Sequence, residues 1–318
     1  MSKGKIIAAV ATVLFIAIML LITGLKAHHD IPLDRTYGTP PPPDLPYPVN
    51  NNIGATIVMT VIGLSGVALG IIQWVRTKSP LPLMIALSGA VICIPEVFFD
   101  VMGGVYFPWS ATEPLGQAYA ILGREMPWWI AAGWFGYGAF NFFMFTLLAS
   151  KPSTKTIWLM LGGAAVGDVV FEEILLSFNV YHYYGNQPLV IVSQLPWWWI
   201  PCNSIGVFLA AALAYRFQDF LRGWRSLLML VITPLSVTTV YGAIALPSWI
   251  AVNGNYPWLP TQILGLATIA LGIVVFALIL ELVLKRKPFE LGYTPAKDVA
   301  EFGSPVQGRI DDRVSAVR

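Results

Sequence analysis

The sequence is short of charge. Asp, Glu, Lys and Arg make up 11% of its 318 residues, against about 25% in an ordinary soluble domain, which excludes a conventional water-facing surface. A net charge of +2 supplies no basic field for nucleic acid, so no such partner is expected. Cysteine is scarcer still: Cys93 and Cys202 are the only two, both inside apolar runs. That excludes a disulfide framework, and each reads as a small buried hydrophobe. Of the three histidines, His28 and His29 fall in a polar segment and only His182 lies near other ionisable groups.

What the chain has instead is apolar length. Hydrophobic residues reach 56%, with 12 Trp, and runs of about 20 residues, enough to cross a bilayer as a helix, occupy 6–25, 53–75, 81–101, 128–149, 156–178, 196–215, 226–248 and 260–284. The expected fold class is all-α: a polytopic transmembrane helical bundle of about eight spans, multi-pass in the plasma (inner) membrane. Basic residues orient it. Alternate loops and ends hold Lys3, Lys5, Arg76, Lys78, Lys151, Lys155, Arg216, Arg222, Arg225 and 285–287, whereas the opposite side holds only Lys26, Arg35 and Arg124. Both termini are therefore expected in the cytoplasm. Residues 1–25 form the first span, or a signal peptide following Lys3 and Lys5, although the run exceeds the usual 7 to 15 or so residues and no A-x-A-like site follows it. Residues 26–52, with Pro40 to Pro43, read as an extended extracytoplasmic linker. The membrane domain covers 53–287, and 288–318 reads as a disordered cytoplasmic tail.

Against this background four carboxylates stand out as two pairs at helical spacing, Glu96 with Asp100 and Asp168 with Glu172, with no Lys or Arg near either pair in sequence. An ionisable group in hydrocarbon costs roughly 2.5 to 3.5 kcal/mol on insertion scales, so such groups mark a polar site. Residues four apart share a helix face. Counting 1.5 Å per residue puts Asp168 near mid-membrane, Glu172 and Glu96 in the outer third and Asp100 near the outer boundary. Pro95 loosens the helix just before Glu96. Glu173 points away from Glu172 and reads as peripheral, and Glu281 is expected to form an i,i+4 ion pair with Lys285.

Both acid-bearing spans are followed by an aromatic loop, a Pro-Trp start to the next helix and an Asn inside it. The first series runs through Trp109, Pro127, Trp128, Trp129 and Asn141; the second through Tyr181, His182, Tyr183, Tyr184, Pro196 to Trp199 and Asn203. This order fits two parallel repeats, and equally fits the aromatic belts and prolines of any membrane interface. Gly66-x-x-x-Gly70 and Gly163-x-x-x-Gly167 are helix-contact patterns, the second expected to draw a neighbouring helix against the Asp168 face.

Buried acids without cations favour the neutral, protonated form and can serve as proton donors. Acid catalysis on a lipophilic substrate is the first reading, with Glu96, Asp100, Asp168 and Glu172 catalytic and no cofactor. Asn141, Asn203, Trp109, Trp128, Tyr181, His182, Tyr183 and Trp198 are the candidate substrate-binding residues, and the rings of Trp129, Trp197 and Trp199 add walls that exclude water and shield positive charge. His182 also offers a proton relay to Glu172 or Glu173. Two alternatives stay open. The acids with Asn141 and Asn203 could hold Mg²⁺ for a diphosphate, although the outer side offers only Arg124 as a clamp, or they could serve proton-coupled transport, with Pro201 and Pro234 as kinks.

The run Pro95-Glu96 through Asp100, the run Asp168-Val-Val-Phe-Glu-Glu173, the tyrosine turn, Gln187-Pro188-Leu189 and the Pro-Trp segment together resemble the actinobacterial AveC-like spirocyclase family. The likeness spans roughly residues 53–284. It implies a polytopic protein that closes a spiroketal on a polyketide: a proton goes to a ketone or hemiketal oxygen, water leaves through an oxocarbenium-like species, and a second hydroxyl captures it. Phe171-Glu172-Glu173 is also similar to part of the Pro-x-Glu-Glu signature of membrane lycopene cyclases. Glu172 and Asp168 are expected as acid and stabilising base, faced by Glu96 and Asp100.

Overall fold

A computed structural model describes residues 45–294, together with Val10 and Leu14. The first expected span, most of the linker and the end of the tail lie outside the described residues. The protein is mostly helical, 69% helix with little strand. Five helical segments are long and apolar enough to cross a membrane: Val49–Thr77, Leu81–Gly103, Trp128–Ala149, Gly223–Ile244 and Trp258–Val283. Two further helices, Thr154–Ser177 and Trp199–Arg216, carry Asp168, Glu172 and Asn203.

Helix α1 (Val49–Thr77) starts inside the segment read as linker and ends where Lys78 turns left-handed at φ 58°. Its small residues let neighbours approach closely, as the first glycine pattern implies: a Cβ on Gly66 would lie 2.6 Å from Ala139 Cβ, and one on Gly70 2.9 Å from Leu83 Cα. The second of these five segments is broken into α2 (Leu81–Ser88), a 3₁₀ turn (Gly89–Ile92) and α3 (Cys93–Gly103). Pro95 sits in the first turn of α3, where a missing N–H costs little, and this change of helix type re-aims the Glu96 face.

A two-stranded hairpin follows, β2 (Tyr119–Ile121) with β3 (Arg124–Met126). After α4 (Trp128–Ala149) and α5 (Thr154–Ser177) comes β4 (His182–Tyr183), which pairs antiparallel with β1 (Val105–Tyr106). That pairing joins the chain just beyond α3 to the chain just beyond α5, so both acid-bearing helices end at the same end of the bundle. Helices α6 (Trp199–Arg216), α7 (Met229–Ile244), α8 (Leu246–Val252) and α9 (Trp258–Leu278) complete it. Pro201 lies in the first turn of α6 and Pro234 inside α7.

Helix α5 departs most from expectation. Only Thr154, Ile157, Leu175 and Leu176 are buried along it, so it is held at its two ends. Gly162, Gly163 and Gly167 have no atom within 4 Å of where a Cβ would lie, so the second glycine pattern draws no described helix against it. Its N-terminal amides are met by the start of the segment read as a disordered tail: Thr154 N–H donates to Tyr293 O at 2.9 Å and Lys155 N–H to Leu291 O at 2.9 Å. Residues 288–294 are therefore docked, with Trp158 Nε1 donating to Pro288 O at 2.8 Å. The expected Glu281–Lys285 pair is absent among the described residues. Glu281 sits in a π turn (Ile279–Val283) and Lys285 is left-handed at φ 55°, which ends the i,i+4 register.

Candidate functional site

The four acids converge. Glu96, Asp100 and Glu172 line one cavity of about 60 Å³, with Trp129, Trp134, Tyr137, Tyr181, Tyr183, Trp199, Asn203 and Tyr241 in its walls. At about 30 Å³ per water, that is room for roughly two waters.

The two pairs are solvated differently. Every hydrogen-bond partner of Asp168 and Glu172 is a donor. Tyr137 Oη donates to Asp168 Oδ1 at 2.7 Å. Asn203 Nδ2 bridges the pair, donating to Asp168 Oδ2 at 3.2 Å and to Glu172 Oε1 at 3.4 Å. Glu172 Oε2 accepts from Tyr181 Oη and, at 3.2 Å, from Tyr183 Oη. Tyr241 Oη in turn donates to Asn203 Oδ1, which fixes the amide so that its NH₂ faces the acids. This is the arrangement a carboxylate requires.

Glu96 and Asp100 have each other. They are one turn apart on α3, close enough for their carboxyls to interact, and Trp134 lines the cavity with them. Two carboxyls can bond only if one carries a proton. Without it, the buried Glu96 Oε2 and Asp100 Oδ2 have no partner among the described residues. The site thus sets a carboxyl pair that would be satisfied by a shared proton opposite a donor-solvated pair.

Packing aligns these groups. Phe99 stacks on Tyr241 with ring centroids 4.0 Å apart, tying α3 to α7. The Gln187 of the Gln-Pro-Leu run staples the end of α3: Nε2 donates to Gly103 O at 2.7 Å and to Tyr184 O at 2.8 Å, while Oε1 accepts from Trp198 Nε1 at 3.1 Å. Gly103 is required there, since a Cβ would lie 2.2 Å from Trp199 Cζ2.

Several expected members sit elsewhere. Asn141 donates to Thr233 Oγ1 at 3.4 Å, and Thr233 bonds Ser88 at 2.7 Å, so Asn141 helps tie α4 to α7 and α2 instead of reaching the acids. Trp128 is about half exposed on the outside of α4, and Trp198 is buried behind Trp199, stacked on it at 4.5 Å. Trp109 lines a separate cavity. His182 lines another, with Asn186, Gln187 and Gln194, and burial lowers its pKa below the ordinary value, which favours the neutral ring at pH 7. Its place in β4 takes it out of the acid cavity, so it is no relay to Glu172. Glu173 is peripheral as expected: its carboxylate accepts from the amides of Ser193, Gln194 and Leu195, each at 3.3 Å. Glu173→Gln should leave the acid site intact and loosen that loop by about 1 kcal/mol, read as faster amide exchange at those three residues.

Sequence reasoning missed Tyr137, Trp134 and Tyr241. Tyr137 and Trp134 lie two turns and more into α4, and Tyr241 lies in α7, which has no acid to draw attention. The one available signal was the i,i+4 spacing that puts Tyr137 on the same face of α4 as Asn141, the Asn that follows the Pro-Trp start.

Asp168 lies one step behind the cavity, in the floor of a 660 Å³ apolar groove between α1, α4 and α5. Met59, Tyr137 and Phe171 line both spaces and form the wall between them. The open glycines of α5 lie along this groove and a second one of 530 Å³ on the other side, against α6 and α9. Among the described residues no group of three His, Cys, Asp or Glu is gathered as metal ligands. Comparison with protein-family models, characterised proteins and solved structures finds no match for this chain.

Proposed function

We propose that the protein is an integral membrane cyclase or dehydratase that uses buried carboxyl groups on a lipophilic polyketide or isoprenoid substrate, in the manner of a spirocyclase. The observation that carries this reading is the opposition, across one aromatic cavity, of the Glu96 and Asp100 carboxyls, whose Oε2 and Oδ2 have no donor among the described residues, to Glu172, which is ringed by donors and backed by Asp168. Acid-catalysed ring closure needs both: a proton for the leaving oxygen, and a carboxylate to take the proton of the capturing hydroxyl. The donor pattern reverses the roles expected from sequence, making Glu96 with Asp100 the acid and Glu172 the base. Asp168 is a positioning residue, holding Asn203 and Tyr137. The faces of Trp129, Trp134, Trp199 and Tyr241 suit a transient cation.

A cavity of about 60 Å³ holds only the reacting atoms. The rest of the substrate lies in the 660 Å³ groove, reached sideways from the bilayer, with Phe171 and Tyr137 at the threshold. The bundle sits in the plasma membrane with eight spans and both termini cytoplasmic; the seven long helical segments and the basic residues at alternate ends support this count. Gly163→Leu should fill the groove without unfolding α5, because nothing lies within 4 Å of its Cβ position, and should raise KM for a long-chain substrate about tenfold with little change in kcat.

The test is conversion of a lipophilic hydroxy-ketone or polyene in purified membranes, followed by mass spectrometry. The expected result is a cyclised product, lost in Glu96→Gln. Unchanged turnover in that variant removes the catalytic reading. Uptake into vesicles that a proton ionophore dissipates, with no covalent change in the solute, establishes the proton-coupled transporter instead.

A further inference from the structure

A second cavity, of about 130 Å³, lies beyond the acid site at the end of the bundle where α3 and α5 finish. Asp100, Val105 and Phe107 line both cavities and form the wall they share. The outer walls of the second cavity come from the β2–β3 hairpin and its turn: Gly123, Arg124, Glu125 and Met126. The turn is tight, with Leu122 at φ 53° and Gly123 at φ 72°. The hairpin is pinned at one side, where Tyr119 Oη donates to Cys93 O at 2.9 Å on α3. Its other fixing point is Arg124, which donates from Nη2 to Tyr184 Oη and lies over the Tyr184 ring at 5.6 Å.

Unsatisfied polar atoms follow this path. Arg124 Nη1 is buried with no hydrogen-bond partner among the described residues, and it lines the same cavity as the Asp100 carboxyl. Buried polar atoms of this kind are satisfied by water when the space admits it, and 130 Å³ admits several molecules.

We infer that Asp100 and the Arg124–Tyr184 latch form a water port between the acid cavity and the aqueous phase at this end of the bundle. The port has a purpose only if the dehydration reading holds, on which that part of the inference rests. Each ring closure moves one proton from the acid pair to the leaving hydroxyl, which departs as water, and returns one proton from the capturing hydroxyl to the carboxylate. Protons balance within the site, and one water accumulates per turnover in a chamber with room for roughly two. The apolar groove is a poor exit for it. The polar route past Asp100 is the other way out.

The port can be tested without turnover. In a Cys93→Ala, Cys202→Ala background, Val105→Cys and, separately, Asp100→Cys are exposed in detergent to a small charged methanethiosulfonate reagent that does not enter apolar space. Both positions should be modified. Adding Tyr184→Phe, which removes the latch hydrogen bond but keeps the ring, should speed modification about tenfold, as should Arg124→Gln. Absence of labelling at both positions, or equal rates with and without the latch in both variants, overturns the port. Labelling at Val105→Cys, with no product formed by the parent protein, retains the water route and removes the catalytic reading; no labelling at either position, with product formed by the parent, does the reverse.

Discussion

Glu172→Gln loses about a thousandfold in turnover while the protein stays folded, as expected for removing a positioned general base. The substitution is nearly isosteric. Tyr181 and Tyr183 point their hydroxyls at Oε2 and Asn203 its amide at Oε1, and a glutamine oxygen accepts from either side, while the rotatable tyrosine hydroxyls can accept from its NH₂. The cavity therefore keeps its shape, and what is lost is a group able to take a proton. Asp168→Asn should cost much less, about tenfold, because Asp168 lies behind the wall and acts through Tyr137 and Asn203. Turnover of both variants in one membrane preparation, with thermal unfolding as the folding control, measures the difference. Equal losses would mean that the two acids act as one unit and that Asp168 is not merely a positioning group.

Gly138→Val prevents correct assembly of the bundle. A Cβ at Gly138 would lie 1.9 Å from Ala86 O, and one on the facing Gly89 2.4 Å from Gly138 N. Here α4 meets the broken helix over 81–103 backbone to backbone, so no rotamer change relieves the clash. Ordinary overpacking costs about 1 to 3 kcal/mol; a backbone collision exceeds that and consumes much of the 5 to 15 kcal/mol typical of a folded protein. The expected result is little or no monodisperse protein after extraction. Gly162→Ala, with nothing within 4 Å of its Cβ position, should extract and melt like the parent. If Gly138→Val does the same, the close contact between α4 and the Gly89 turn is not needed for the fold.

The contrast between these glycines shows where sequence reading stops. Gly66-x-x-x-Gly70 and Gly163-x-x-x-Gly167 have the same pattern, yet the first carries a helix contact and the second opens on a groove. Spacing determines which residues share a face, but what approaches that face depends on how the other helices pack. The same limit separates Asn203 from Asn141. Both follow a Pro-Trp start, but α6 brings its Asn between Asp168 and Glu172, whereas α4 turns Tyr137 toward Asp168 and Asn141 toward Thr233.

By itself the sequence determined the helical class, five segments long and apolar enough to cross a membrane, and the placing of the acid pairs on helices. Each of these follows from local composition: apolar length, scarcity of charge and a four-residue period. The tertiary structure decided the rest. It broke the helix over 81–103 at Gly89–Ile92, docked residues 288–294 on α5, assembled a wall from Trp134, Tyr137 and Tyr241, and gave one acid pair a shell of donors while leaving Glu96 Oε2 and Asp100 Oδ2 without one among the described residues. Those outcomes depend on side chains far apart in the chain meeting at hydrogen-bonding distance. In an apolar medium every buried polar group must find a partner, and only the packed helices determine which partner is near.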